Sequence, residues 1–356
     1  MTLPIENSVN SLRQFRKRIA ARMAYQQRQK QPRHQVIFAV DGIYSEFAQG
    51  CWRYAHQEPW QAIFPSTSAS CWLSSLTGQS IEQHGVPGVV FRPDPAQATL
   101  INICDYQGDA ITPPTANLFT DCYRYGFTPQ AIAGDLLPIQ GSWTRALLTG
   151  VAHVDNHAFY TDQPLVPPAQ MIARLEGAVG QRLNGAAPTL LWCFIDVDQY
   201  IHLNGYDDRV EAFLCGLASL AERLVAQGCD VIAYADHGLV PTQHDSDIAR
   251  SIEQICGEFG ATMGGAGRTR WFYVEQEHEA AMQQRLASAI GDIALVMPRT
   301  SLFSTSGSSR MGNLLLIAQQ NRFISPPPTA MNMAHCRLRK CQSPMRYGRT
   351  YDCQSH

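Results

Sequence analysis

Three apolar segments that each end in aspartate constrain the fold of this chain more than any other feature of its sequence. They lie at residues 34–42, 189–198 and 229–238, and their apolar residues are consecutive rather than alternating. Consecutive apolar runs are typical of strands that are buried on both faces of a parallel sheet. Patterns with helical spacing lie between them, at 169–183 and 210–227. The sequence therefore predicts β-α-β units and a mostly parallel sheet.

The aspartates at the ends of these segments indicate a shared site. In open parallel sheets, ligands bind beyond the carboxyl ends of the strands. We therefore expect Asp41, Asp198 and Asp236 to converge. One apolar run ending in aspartate is weak support, because aspartate also occupies turns and helix caps. Three such runs in one chain, two of them with a histidine close by, are stronger support.

Two Asp–His pairs give this site the chemistry of a metal centre. Asp198 and His202 are four residues apart, which places both side chains on one face of a helical turn. Asp236 and His237 are adjacent and precede Gly238, where the chain can turn. Mixed carboxylate and imidazole ligands suit Zn²⁺ or a similar divalent ion.

A hydroxyl-rich segment at residues 64–78 has two interpretations. It contains Ser66, Thr67, Ser68 and Ser70 and opens a helical pattern. Backbone N–H groups at the start of a helix can hold a phosphate group. A serine that merely caps the helix would give the same pattern. The segment alone favours the capping interpretation.

Taken together and in this order, the motifs resemble the alkaline phosphatase superfamily. They are Asp41-Gly42, Phe-Pro-Ser-Thr-Ser at 64–68 followed by Leu-Thr-Gly and His-Gly, Asp-x-x-x-His at 198–202, and Ala-Asp-His-Gly at 235–238. The similar branch is the type I phosphodiesterase/nucleotide pyrophosphatase family. The resemblance implies a three-layer α/β/α domain with a mostly parallel central sheet.

The residue patterns and the resemblance together indicate a domain organisation. The alkaline phosphatase-like catalytic domain would cover residues 34–356, with an insertion or cap at approximately 90–188. Residues 1–33 would form a basic N-terminal helix or extension. Its apolar residues recur every three or four positions, so this helix either packs on the domain or binds a membrane surface or partner.

The site residues that the resemblance implies belong to a two-metal hydrolase. One ion would be held by Asp41, Asp236 and His237 together with the nucleophile Ser68. The other would be held by Asp198, His202 and a further histidine near the end of the domain. That histidine is His356, the last residue, or alternatively His335. The third alternative is an incomplete second site. The ions are expected to be Zn²⁺, with Mn²⁺ and Mg²⁺ as alternatives.

The activity that the resemblance implies is hydrolysis of a small-molecule phosphoester, as a phosphodiesterase or phosphomonoesterase, through a phosphoseryl intermediate at Ser68. The nucleotide pyrophosphatase branch has an asparagine soon after its His-Gly, whereas residues 84–91 contain none. Two other functions stay open. The chain could be a catalytically weak relative that serves as a binding or assembly subunit, or a phosphotransferase that passes the phosphoryl group to an alcohol.

Composition limits the partners and the location. Of the 28 Lys and Arg residues, eight lie in residues 1–33 and five in residues 334–356. Of the 30 Asp and Glu residues, each of these two ends has one. Residues 34–333 therefore carry 15 basic residues against 28 acidic residues. General nucleic-acid binding is not expected from such an acidic body.

No apolar run is long enough for a transmembrane segment. The eleven cysteines have irregular spacing and no C-x-x-C pair, which predicts reduced thiols and a cytoplasmic protein. No pattern indicates an oligomeric state.

Overall fold

The structure is a computed structural model that describes residues 10–136, 141–158, 166–185, 187–304, 309–323, 331–333 and 343–347. Its described helices are α1 Phe15–Arg28, α2 Ser45–Gln49, α3 Ser68–Thr77, α4 Ile81–His84, α5 Leu118–Arg124, α6 Ser142–Leu147, α7 Pro168–Leu183, α8 Asp198–Asn204, α9 Asp208–Ala226, α10 Ser246–Glu258 and α11 Glu279–Ile290. Short 3-10 turns lie at Leu12–Gln14, Gln276–His278 and Arg299–Ser301. None of the helices in the described ranges has the length and apolar content that a membrane crossing needs.

A seven-stranded sheet forms the centre of the fold. Its strands are β1 Gln35–Asp41, β2 His56–Trp60, β5 Thr128–Ile132, β6 His153–Asp155, β7 Thr189–Asp196, β8 Asp230–Tyr234 and β17 Ser343–Tyr347, in the spatial order β2-β17-β8-β1-β7-β5-β6. The five strands from β8 to β6 are parallel, and β17 is antiparallel to its neighbours β8 and β2. The three apolar segments are thus the adjacent strands β8, β1 and β7, which confirms the predicted sheet.

The strand β1 shows why these segments are continuously apolar. Its side chains alternate between the two faces of the sheet, as in any strand. Val36, Phe38 and Val40 belong to a core that also contains residues of α7 and α9. Ile37 and Ala39 belong to the core on the opposite face, with residues of α1, α3 and α5. Because helices cover both faces, every position of β1 is buried, and the predicted three-layer α/β/α architecture is confirmed.

The basic N-terminal helix packs against the sheet. Phe15, Ile19 and Met23 of α1 are buried, and the ring of Phe15 stacks on Tyr234 of β8 with 3.9 Å between the ring centroids. The basic side chains of α1 bind acids of the domain: Arg16 pairs with Asp121, Arg18 with Glu58 and Arg22 with Asp230. Of the two interpretations of this helix, the structure shows the packed one.

A second sheet is separate from the central one and is antiparallel. Its strands are β3 Val90–Phe91, β4 Ile101–Asn102, β11 Thr262–Ala266, β12 Thr269–Tyr273, β13 Ala294–Pro298 and β14 Leu314–Ala318, in the order β13-β14-β12-β11-β3-β4. Helices α10 and α11 contribute Ile252, Ile255, Met282 and Leu286 to its core. Two short pairs complete the described strands: β9 Leu239–Pro241 with β16 Met331–Met333, and β10 Gln243–His244 with β15 Arg322–Phe323.

The expectation that all thiols are reduced is wrong for one pair. Cys51, which follows α2, and Cys215 of α9 form a disulfide across 164 residues of sequence. Spacing along the chain did not reveal this pair, because the fold alone brings α2 onto α9. Six other cysteines in the described ranges are free thiols.

We expect the disulfide to be detectable and stabilising. A peptide that links Cys51 to Cys215 should appear in a non-reducing digest and disappear after reduction. A crosslink that closes so long a loop restricts the unfolded chain, so Cys215→Ser should lower the free energy of unfolding by about 2–4 kcal/mol under oxidising conditions. The buried free thiol of Cys193 is the control in the same digest, because the peptide that contains it should be unlinked both before and after reduction. Equal stability of the Cys215→Ser and wild-type proteins would contradict the bond.

Candidate metal centre

The candidate site lies at the carboxyl ends of three adjacent parallel strands. Asp41 is the last residue of β1, Asp198 begins α8 two residues after β7, and Asp236 and His237 follow β8. Because β1 lies between β8 and β7, the residues after all three strands meet at one edge of the sheet. The convergence predicted from the strand ends is what the structure shows.

Asp41, Asp236 and His237 form a compact set of metal-ligating groups. One ligand atom from each lies within 4.8 Å of the others, and all three residues are buried. The Nε2 atom of His237 is 3.3 Å from Oδ2 of Asp236 and 3.8 Å from Oδ1 of Asp41. Buried acids without a partner are costly, and Asp236 Oδ2 has no hydrogen-bond partner. This donor set fits a divalent cation.

Ser68 is placed against these ligands by the start of α3. It is the first residue of the helix, and its Oγ lies 3.0 Å from Nε2 of His237 and 3.3 Å from Oδ1 of Asp41. The first backbone N–H groups of a helix have no partner within the helix and carry partial positive charge. The hydroxyl of Ser68 therefore lies between a potential cation site and a helix end that favours anions.

Asp198 and His202 form a second pair beside the first set. Oδ2 of Asp198 is 3.0 Å from Nε2 of His202, while Oδ1 of Asp198 is buried without a hydrogen-bond partner. Gly42 brings this pair close to Asp41: a Cβ atom at Gly42 would lie 2.7 Å from Oδ1 of Asp198, and its φ of +82° is one that glycine adopts readily. The glycine of the Asp41-Gly42 motif therefore allows the two sets to approach.

Burial and mutual repulsion disfavour negative charge in this centre when no cation is present. Burial raises the pKa of Asp41, and the carboxylates of Asp236 and Asp198 raise it further. Burial and Asp198 raise the pKa of Asp236 to about 7. Burial would also raise the pKa of Asp198, but the hydrogen bond and charge of His202 lower it below its ordinary value. Clustered carboxylates of this kind are relieved by a bound cation.

The histidine predicted as the last ligand has two candidates. His356 and its alternative His335 lie outside the described residues. The described part of the chain thus brings together Asp41, Ser68, Asp236 and His237, with Asp198 and His202 beside them.

Comparison with known proteins yields matches among solved structures. No protein-family model matches the sequence, and no curated protein matches it. Murine ectonucleotide pyrophosphatase/phosphodiesterase 5 superposes with a TM-score of 0.65 at 12% identity, over 88% of this chain and 87% of that chain. Phosphonoacetate hydrolase from Sinorhizobium meliloti 1021, in complex with phosphonoformate, superposes with a TM-score of 0.65 at 15% identity, over 89% and 90%. Both neighbours are alkaline phosphatase superfamily members.

The chain has the alkaline phosphatase-like fold. The resemblance stated from the motifs is thereby confirmed at the level of the fold. The human form of the first neighbour gives the same result, with a TM-score of 0.63 at 13% identity over 88% of this chain and 87% of that chain.

Within this alkaline phosphatase-like fold, the structure adds site contacts that the motifs did not predict. Nε1 of Trp72 donates to Oδ2 of Asp41 at 3.0 Å, which orients the carboxylate. Trp72 is four residues after Ser68 on α3, so the helical spacing could have indicated that both face β1. Asp196, the last residue of β7, accepts from the N–H of Gln199 in the first turn of α8.

We expect the stabilisation by a bound metal to increase with pH. Because the folded-state pKa of Asp236 is raised to about 7, the metal-free protein takes up a proton on folding between about pH 4 and pH 7, and it loses stability as pH rises through that range. A bound ion displaces that proton and removes the loss. Thermal unfolding with and without Zn²⁺ at about pH 5.5 and about pH 8 measures the difference. A metal-induced shift in Tm that is equal at both values would contradict this electrostatic account.

Proposed function

We propose that this protein is a metal-dependent phosphoester hydrolase in which Ser68 is the nucleophile. The observation that carries the proposal is the position of the Ser68 hydroxyl, at the start of α3 and within 3.3 Å of both Asp41 and His237. A serine that only capped the helix would have no need of a buried carboxylate and imidazole at its oxygen. Of the two interpretations of the segment at 64–78, this geometry supports the phosphate-binding one.

The proposed site holds two divalent ions. Asp41, Asp236, His237 and the Ser68 oxygen would hold one, and Asp198 and His202 would hold the other. Oδ2 of Asp236 and Oδ1 of Asp198 have no hydrogen-bond partner, so these are the atoms that most require a cation. When bound, such ions supply positive charge to the phosphoryl oxygens and lower the pKa of a ligating hydroxyl. Zn²⁺ is proposed first because of the imidazole ligands, with Mn²⁺ and Mg²⁺ as alternatives.

The chemistry of this chain's residues follows from their positions. Asp41 and His237 orient the Ser68 oxygen, whose proton leaves to solvent as the oxygen attacks phosphorus. A bond forms between Oγ and phosphorus as the ester P–O bond breaks, and the departing oxygen takes a proton from solvent and leaves as the alcohol. Water then attacks the phosphoseryl group and gives a proton to solvent, the phosphorus–Oγ bond breaks, and Oγ takes up a proton again. A monoester releases phosphate, and a diester releases a phosphomonoester. The N–H groups that begin α3 face the phosphoryl oxygens in both steps and favour their negative charge.

The substrate is proposed as a small-molecule phosphoester. One neighbour is a nucleotide pyrophosphatase/phosphodiesterase whose inactive threonine-to-alanine variant was solved in complex with AMP, and the other was solved with phosphonoacetate. Residues 84–91 of this chain lack the asparagine of the nucleotide pyrophosphatase branch. We therefore propose phosphomonoesters and simple diesters without a nucleoside as substrates in preference to nucleotides.

The second candidate function is that of a catalytically weak assembly subunit. The observation in its favour is that only two ligands, Asp198 and His202, are present in the described ranges for the second ion.

We propose that His356 supplies the third ligand of the second ion. Deletion of His356 should then remove the second ion, and His335→Ala should leave it in place. The reverse result would assign the role to His335.

The cytoplasm is proposed as the location, supported by the six free thiols within the described ranges. The Cys51–Cys215 disulfide opposes it, because stable disulfides are rare in cytosolic proteins. Non-reducing peptide mapping of the protein from intact cells tests the location: a linked Cys51–Cys215 peptide would oppose the cytoplasm, and unlinked thiols would support it.

The proposed activity is tested with a panel of substrates and metals. Aryl phosphomonoesters, bis-aryl phosphodiesters and phosphonoacetate are each assayed with Zn²⁺, Mn²⁺ and Mg²⁺, with and without an alcohol acceptor. Hydrolysis that a chelator abolishes and added metal restores supports the proposal. Transfer to the alcohol would assign a phosphotransferase. Absence of turnover with every combination would favour the assembly subunit.

A further inference from the structure

Tyr206 joins the two loops that carry the ligands of one ion, although it is neither a ligand nor part of any recognised motif. It lies between α8 and α9, four residues after His202. Its hydroxyl donates to the carbonyl oxygen of Gly42 at 2.5 Å and accepts the N–H of Leu239 at 3.0 Å. Gly42 directly follows Asp41, and Leu239 is two residues after His237.

These two loops have no backbone ladder between them. The pairing of β1 with β8 ends at Ala39 and Tyr234, before the ligands begin. Beyond that point, the N–H of Gly42 donates to Oδ1 of Asp236 at 3.3 Å, and Tyr206 supplies a further connection. The phenol is also close to the backbone N–H of Tyr44. The hydroxyl of Tyr206 therefore adds a second connection between the loop after β1 and the loop after β8, beside the bond from Gly42 to Asp236.

The ring of Tyr206 is held in place independently of its hydroxyl. It packs edge-on against Tyr44, with 4.7 Å between ring centroids, and lies 4.8 Å from the ring of Phe47. A Cβ atom at Gly238 would meet Tyr44 at 2.3 Å, so this aromatic group also touches the loop after β8. Replacement by phenylalanine keeps the ring packing and removes only the hydrogen bonds that the hydroxyl makes to the two loops.

We propose that Tyr206 is a positioning residue for the ion held by Asp41, Asp236 and His237. The inference rests on the proposed metal centre, and it adds a residue that sets the distance between Asp41 on one side and Asp236 with His237 on the other. Groups that hold metal ligands in place typically affect metal affinity by 10–100-fold when they are removed. Tyr206→Phe is expected to weaken this ion within that range.

Tyr200→Phe is the matched control. The hydroxyl of Tyr200 donates to Oδ2 of Asp207 at 2.6 Å, so this variant also removes one hydroxyl and one hydrogen bond from the same region. Asp207 caps α9 and has no hydrogen bond to either ligand loop among those described. A general structural effect would appear in both variants, whereas a positioning effect appears only in Tyr206→Phe.

The test is calorimetric titration of the metal-free proteins with Zn²⁺, in an Asp198→Asn background so that a single ion binds. We expect Tyr206→Phe to bind Zn²⁺ about 10–100-fold more weakly than the Asp198→Asn parent, and Tyr200→Phe to bind as the parent does. If Tyr206→Phe is unfolded without metal, the Zn²⁺ concentration that restores its circular dichroism replaces the titration, with the same expected shift.

Two outcomes overturn the inference, and they are distinguishable. Equal Zn²⁺ affinity in the parent and in Tyr206→Phe, or an equal loss in Tyr200→Phe, overturns the role of Tyr206 and leaves the metal centre intact. A wild-type protein that binds no Zn²⁺ overturns the proposed function and the role of Tyr206 together.

Discussion

Ser68→Ala is expected to reduce turnover of an aryl phosphate ester by roughly 10³-fold or more, as losses of a catalytic nucleophile do. Alanine has no oxygen with which to attack phosphorus, so the covalent route is lost. Asp41, Asp236 and His237 stay in place, so bound metal should remain near two equivalents. The measurement is kcat at saturating Zn²⁺, together with metal analysis of the same preparation.

Ser68→Thr is the matched control for this experiment. Threonine keeps a hydroxyl at the first residue of α3. We expect this variant to retain a substantial part of the turnover that Ser68→Ala loses. If Ser68→Ala were as active as the wild-type protein, Ser68 could not be the nucleophile.

Asp198→Asn is expected to remove one of the two ions and to lower kcat by about 10²-fold or more, the scale on which loss of a charge-stabilising group acts. The amide is neutral and offers a single weak oxygen ligand. It therefore cannot replace a carboxylate whose Oδ1 is buried without a hydrogen-bond partner. Metal analysis should give about one equivalent per chain, since Asp41, Asp236 and His237 still hold the other ion.

Asp207→Asn serves as the comparison for Asp198→Asn. Asp207 lies nine residues further along the chain and caps α9 by accepting the N–H groups of Arg209 and Val210. Asparagine caps helices as well as aspartate does, so both ions and the turnover should persist. A two-ion content in Asp198→Asn would show that the second ion is bound elsewhere.

The strand ends of the site were predictable because they depend on local sequence and one general rule. Residues 34–42, 189–198 and 229–238 are continuously apolar since helices cover both faces of the sheet, and the carboxyl ends of parallel strands meet at one edge. Asp41, Asp198 and Asp236 could therefore be placed together from the sequence. The proposed role of Ser68 depended on the resemblance, because a capping serine gives the same local pattern.

Contacts between distant segments were not predictable in this way. The Cys51–Cys215 disulfide joins residues 164 positions apart. The hydrogen bonds of Tyr206 join it to residues 164 and 33 positions away. No periodicity in the sequence marks these contacts. The sequence pattern also did not show that β5 and β6 extend the central sheet beyond β7. Such features depend on the packing of the whole fold rather than on local propensity.

The metal content of the wild-type protein tests the central claim most directly. Purified protein is stripped with a chelator, supplied with excess Zn²⁺, dialysed, and measured by inductively coupled plasma mass spectrometry alongside hydrolysis of an aryl phosphate ester. We predict two equivalents of Zn²⁺ per chain and phosphoester hydrolysis that rises with occupancy. A protein that retains no Zn²⁺, or that hydrolyses phosphoesters equally well without it, would contradict the account.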